Sequence, residues 1–170
     1  MLFSIATRGR SRETESANMN PIISIMAQGA MGAATASRLV ENGLEVRTDL
    51  TGRSAASAER AAKAGMKAVS EDELAGADFL LSIVPPADAV SLAERLSGAL
   101  ARAARKPIYV DLNAVNPQTT KKVAKIVQAA GARFVDGGII GGPPRAGYDG
   151  RRTMCRAPPH TWSKRSRRSA

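Results

Sequence analysis

The run from Ile22 to Gly32 constrains the fold of this chain more than any other stretch. Ile22-Ile23-Ser24-Ile25-Met26 reads as a buried strand. It leads through the small residues Ala27-Gln28-Gly29 into Ala30-Met31-Gly32, where a helical pattern begins. Strand, small-residue turn and helix in that order open a mononucleotide-binding βα unit, in which pyrophosphate sits at the helix N-terminus. Gly29 would let the backbone approach the phosphates, and Gly32 would let the helix pack closely on the strand. The exposed N–H groups and the helix dipole favour negative charge there. Ala27 occupies the place of the fingerprint's first glycine, and a positive φ at that place would cost its Cβ about 1 kcal/mol. A tight strand-to-helix turn holding no ligand is the competing reading.

The remaining signals alternate between strand and helix. A helix is expected from about Ala30 to Asn42, ended by Gly43, and a strand from Leu44 to Thr51. Ser54 caps a helix that runs through Lys63 and stops at Gly65. Met66 to Val69 is a short strand, and Ser70 with Glu73 has the spacing of a capping box. Phe79 to Val84 is a buried strand stopped by Pro85-Pro86, and a helix covers roughly 87–102. Pro107 to Leu112 is the next strand. Asn116-Pro117 starts a helix that ends at Gly131. Arg133 to Asp136 begins a sixth strand, which Gly137-Gly138 are expected to interrupt. Strands separated by helices in this way imply a parallel sheet covered on both faces. The expected fold is therefore α/β, a doubly wound, Rossmann-type, mostly parallel sheet formed by residues 19–150. Residues 1–18 read as an unstructured extension and 151–170 as a disordered basic tail.

The formal net charge of +10 comes mostly from that tail. Residues 151–170 hold seven Lys or Arg and no acid, whereas 19–150 hold 15 basic and 13 acidic residues. A basic tail could bind nucleic acid, but the body of the chain lacks a basic stripe with interleaved aromatics, so no nucleic-acid partner is expected. No apolar run approaches the roughly 20 residues that cross a bilayer, so no membrane partner is expected either. The single cysteine, Cys155, points to a reducing, cytoplasmic setting. Arg8, Arg10 and Arg12 hint at a mitochondrial transit peptide, against which Glu13 and Glu15 count. A lone Cys155 and His160 make no metal site, and none is expected.

In a doubly wound sheet, ligands bind beyond the carboxyl ends of the strands. Four places qualify. The first is the glycine turn. The second is Thr51-Gly52-Arg53-Ser54, where a guanidinium, a hydroxyl and a helix N-terminus suit a 2′-phosphate and favour NADP over NAD. Asp49 has the spacing of a ribose-binding acid, though it could equally cap the strand, and Arg53 could be a solvated side chain beside a helix cap. The third is Val84-Pro85-Pro86, a stiff turn that could wall the nicotinamide or merely stop the strand. The fourth joins Asn113 to the glycine-rich run 137–142, which could meet a small substrate or form a flexible linker.

The ordered segments MAQGAMG, GRS, SIVPP, YVDLNAVNP and RFVDGGIIGGPP resemble the β-hydroxyacid dehydrogenase and 6-phosphogluconate dehydrogenase superfamily, in particular a poorly characterised branch with an NADP-binding N-terminal domain. The resemblance covers residues 21–150. It implies that Gly29, Ala30, Met31, Gly32, Arg53 and Ser54 contact the dinucleotide, that Val84, Pro85 and Asn113 lie near the nicotinamide, and that Gly141 and Gly142 bind substrate. It implies hydride transfer in the full-length enzyme and dimerisation through a C-terminal all-helical domain. Ile140 stands where many members have a serine that holds the substrate carboxylate. The family's catalytic lysine lies on a helix beyond the sixth strand, and no lysine here matches it, so no catalytic residue is expected and the sequence reads as a truncated, inactive fragment. Residues 151–170 also read as an out-of-frame translation. In the shifted frame Met154-Cys155 forces a valine, and the flanking codons permit Pro-Thr-Tyr-Tyr before it and Ser-Gly after it, as the family continues. A non-catalytic nucleotide-binding protein or sensor is the alternative.

Overall fold

Four consecutive buried residues form β1, Ile23–Met26, in the interior of a single sheet. The computed structural model describes residues 20–26, 29–143 and 152–156. Ala27 and Gln28, the extension 1–18 and His160 lie outside the described residues. The other strands are β2 (Val46–Thr48), β3 (Lys67–Ala68), β4 (Phe79–Ser82), β5 (Ile108–Asp111), β6 (Arg133–Ile140) and β7 (Arg152–Arg156). Helices α1 (Ala30–Glu41), α2 (Ala55–Lys63), α3 (Glu71–Ala75), α4 (Ala89–Arg102) and α5 (Pro117–Ala129) connect them. The strand order is β3-β2-β1-β4-β5-β6-β7. The first six strands are parallel, and β7 runs antiparallel to β6. The chain winds outward from β1 through β2 and β3, returns to β4, and winds the other way. A topological switch point therefore falls between β1 and β4, the Rossmann-like arrangement the alternation implies.

Side chains on a strand alternate between faces, and the core divides accordingly. Ile23 and Ile25 join Val46, Met66 and small residues of α1 and α2, namely Ala36, Ala61 and Ala64. Met26 and Leu80 face the other way, toward Leu74 of α3, Leu92, Leu96 and Leu100 of α4, and Val123 and Val127 of α5. Ser24 points to this second side, where its hydroxyl donates to the Leu74 carbonyl at 3.0 Å. Leu80, Leu96 and Leu100 are fully buried, each contributing roughly 2 kcal/mol of hydrophobic stabilisation. Tyr109 stacks on Phe134 with ring centroids 6.2 Å apart.

The helix boundaries follow local chemistry. Ser54 accepts from the Ser57 N–H, the Ser70–Glu73 capping box is complete, and Asn116 accepts from the Thr119 N–H ahead of Pro117. Gly65 follows α2 at φ +72°, where an added Cβ would stand 3.0 Å from Val40 Cγ1. Backbone and packing thus both require glycine there.

Three expectations are corrected. Pro86–Asp88 forms a 3-10 turn, closed by the Asp88 N–H donating to the Pro85 carbonyl at 2.8 Å, and α4 begins only at Ala89. Gly137 and Gly138 do not interrupt β6. The strand continues to Ile140 because Gly137 pairs with Cys155 and Gly138 with Met154 across the ladder. Residues 152–156, expected within a disordered tail, form β7, since the free edge of β6 offers unpaired backbone groups that an extended segment can satisfy. Among the described residues no helix is long and apolar enough to cross a membrane.

Candidate functional site

A cleft of about 460 Å³ opens at the carboxyl ends of β1, β2 and β4. The turn after β1 contributes Gly29. The loop after β2 contributes Thr51, Gly52 and Arg53, and α2 adds Ser57 and Arg60. Ile83, Val84 and Pro85 follow β4, and Asp88, Ser91, Leu92 and Arg95 come from the 3-10 turn and α4.

The floor of the cleft is the start of α1. Gly29 is its N-cap, at φ −75° and ψ 177°, and supplies no side-chain hydrogen bond, whereas α2, α3 and α5 are each capped by a side chain. The first turn of α1 carries no acid. Its leading N–H groups therefore keep their partial positive charge available to an anion. A Cβ built on Gly29 meets nothing within 4 Å. Gly32 is buried, as close packing of helix on strand requires. Ala30 and Met31 occupy the same first turn but are not on the cleft wall.

The wall after β2 is basic. Arg53 is exposed and makes no side-chain ion pair among the described residues. Arg60 donates to Ser57 Oγ at 3.0 Å. Ser54 is committed to α2: its hydroxyl accepts from the Ser57 N–H at 3.3 Å and donates to Ser57 Oγ, and it stays off the wall. Asp49 is buried behind the loop, with Oδ1 accepting from the Thr51 N–H at 2.9 Å. Its Oδ2 lies 3.4 Å from Arg95 Nη2, while Arg95 Nε lies 3.0 Å from Glu71 Oε1. Asp49 thus caps the turn, as one of its two sequence readings holds.

The third wall rests on a buried polar cluster. Asn113 is 7% exposed and does not line the cleft. Its Oδ1 accepts from the Val84 N–H at 2.7 Å, and its Nδ2 donates to Ser82 Oγ at 2.8 Å and also to Asp111 Oδ1. The Val84-Pro85 turn is therefore pinned from behind by Asn113. Gly141 and Gly142 lie past β6, at the far side of β5 from the cleft, and do not line it. The structure brings Gly29, Arg53, Val84 and Pro85 together around one space and leaves the other expected contacts outside its wall.

Asp111 was not singled out by its sequence pattern, although a carboxylate ending the apolar strand IYVD is a visible signal. It is 1% exposed, and its Oδ2 has no hydrogen-bond partner. Burial pushes its carboxyl up, hydrogen bonds from the Asn113 backbone and side chain oppose the rise, and nearby Asp136 adds to it. A carboxyl raised in the folded state contributes stability at pH below its unfolded value, and that contribution is lost as pH rises through the folded value. Urea titrations of the protein and of Asp111→Asn should therefore show the difference in unfolding free energy shifting in the variant's favour from about pH 4 upward. A difference that stays flat across that range would show that burial does not raise the Asp111 carboxyl in the folded protein.

A parallel sheet wound in both directions from β1, with an uncapped helix start and a basic loop at its switch point, defines a dinucleotide-binding α/β domain. Residues 23–166 match the family described as the NAD binding domain of 6-phosphogluconate dehydrogenase, and the chain belongs to that family. It is 32% identical over 123 residues to a 3-hydroxyisobutyrate dehydrogenase of Pseudomonas aeruginosa, covering 71% of this chain and 41% of that protein. A 3-hydroxyisobutyrate dehydrogenase of Drosophila melanogaster is 27% identical over 124 residues, covering 73% and 38%. A solved conserved protein, described as similar in structure to 3-hydroxyacid dehydrogenases, superposes with a TM-score of 0.67 at 32% identity, covering 78% of this chain and 48% of that one. The chain spans about two fifths of the length of the curated relatives it matches.

Proposed function

We propose that this chain is the cofactor-holding part of an NADP-dependent oxidoreductase of the hydroxyacid dehydrogenase type. The supporting observation is the uncapped start of α1 at Gly29, which opens on a cleft whose charged side chains are Arg53, Arg60, Arg95 and Asp88. A pyrophosphate would take the α1 N–H groups, and Arg53 with Arg60 would take a 2′-phosphate in preference to a ribose diol. Val84 and Pro85, pinned by Asn113, would wall the nicotinamide, and Gly141 and Gly142 would meet the substrate outside the cleft. The dinucleotide, when bound, supplies or accepts the hydride; these residues bind and orient it.

In this proposal the described residues bind and orient the dinucleotide, and none of the lysines among them lines the cleft. Substrate would enter from the side of Ile140, which is 58% exposed and brings no hydroxyl for a carboxylate. Titration of NADPH and NADH into the purified chain, followed by cofactor fluorescence, tests the reading. NADPH is expected to bind below millimolar concentration and more tightly than NADH. No fluorescence change with either at millimolar concentration would overturn it.

A further inference from the structure

We propose that Arg95 on α4 is a specificity-determining residue that biases the cleft toward NADP by covering Asp49. The inference rests on the reading of the cleft as a dinucleotide site. An acid following the second strand, about 20 residues past the glycine turn, is placed to accept hydrogen bonds from ribose hydroxyls. Asp49 has that place, yet Asp49 does not line the cleft and Arg95 does. The Asp49 side chain is 4% exposed and that of Arg95 39%, so the guanidinium stands between the carboxylate and the open space.

Asp49 is engaged before any ligand arrives, through a hydrogen bond at Oδ1 and an ion pair, without a hydrogen bond, at Oδ2. Oδ1 takes the Thr51 N–H, and Oδ2 faces Arg95 Nη2 at 3.4 Å. Arg95 is itself held from a second side, its Nε lying 3.0 Å from Glu71 Oε1. Two carboxylates from separate segments, one just after β2 and one opening α3, thus fix one planar group. A lysine ammonium, a single point of charge on a flexible stem, cannot reproduce that fork. The arrangement has two effects of the same sign. It withholds an acceptor that would favour an unphosphorylated ribose, and it masks a negative charge that would repel a 2′-phosphate. Arg53 and Arg60, on the wall after β2, then face the phosphate without an open carboxylate at Asp49.

The test compares the dissociation constants of NADP+ and NAD+, by calorimetry on the full chain, for the unaltered protein, Arg95→Met, Arg95→Lys, and Arg95→Met combined with Asp49→Asn. Arg95→Met should reduce the preference for NADP+ by about tenfold, and Arg95→Lys should fall between it and the unaltered protein. The double variant should recover most of the preference, because an amide at 49 still accepts from Thr51 but carries no charge. Recovery by a second substitution is not expected if Arg95 merely stabilises the fold. Circular dichroism and thermal melting identify variants that fail to fold. Should Arg95→Met alone be unfolded, Arg95→Lys carries the comparison, and an unchanged preference there overturns the proposal. An unchanged preference in folded Arg95→Met, or no recovery in the double variant, overturns the role of Arg95 while leaving the NADP reading intact. An unaltered protein that binds neither dinucleotide, or both equally, overturns both.

Discussion

Replacing Asn113 with alanine is expected to lower the free energy of unfolding by about 3 kcal/mol, and the melting temperature by on the order of 10 °C. The side chain serves three groups at once: the Val84 N–H, Ser82 Oγ and Asp111 Oδ1. Truncation strands the Val84 N–H and Ser82 Oγ and leaves Asp111 Oδ1 with the Asn113 backbone N–H alone, at 3.2 Å, and a buried polar group left unmet costs about 1–3 kcal/mol. Asn116 is the internal control, an asparagine three positions later. Its Oδ1 accepts from the Thr119 N–H at 2.9 Å at an exposed helix start, and Asn116→Ala should cost only about 1 kcal/mol. Chemical denaturation of the two variants measures the difference. Equal losses would mean that the buried cluster is not cooperative. Asn113→Ala should also weaken NADPH binding, since it frees the Val84-Pro85 wall.

Gly29→Asp is expected to separate folding from binding. The backbone at Gly29 is extended, a conformation open to any residue, and a Cβ there meets nothing within 4 Å. Aspartate is a better N-cap than glycine, so stability should hold or rise by a few tenths of a kcal/mol. The same carboxylate would occupy the start of α1, take its free N–H groups and repel pyrophosphate. NADPH affinity should fall by about a hundredfold or more, as a like charge set against a bound anion costs several kcal/mol. Thermal melting and fluorescence titration on one preparation give both readings. A loss of stability parallel to the loss of affinity would show that glycine serves the fold there.

Much of this molecule was legible because its signals are local. Ser54, Ser70 with Glu73, and Asn116-Pro117 each act within one turn of their own helix, and each does what its spacing announces. The glycine turn and the basic loop after β2 could be placed on one edge of the sheet because the alternation of elements dictates which strand ends share an edge. What escaped depends on distant partners. Gly137 and Gly138 look like breakers in isolation, yet ladder pairing with Cys155 and Met154 holds them in a strand. Ser91 and Arg95 sit in a helix that reads simply as amphipathic. Only the docking of α4 beside β4 brings them to the cleft, and only then does Arg95 meet Asp49, 46 positions earlier in the chain. Asp111 escaped because the strand around it is apolar, and its significance lies in Asn113 and Ser82 folding over it.

The outermost parallel strand, β3, is two residues long, and its exposed Lys67 is paired with Glu45 at 2.6 Å. So short and charged a flank leaves a neighbouring molecule almost no free backbone to zip onto. Concentrated solutions of this chain should therefore be spared fibril growth from that side, and any strand-to-strand recruitment between copies would have to begin at the opposite margin.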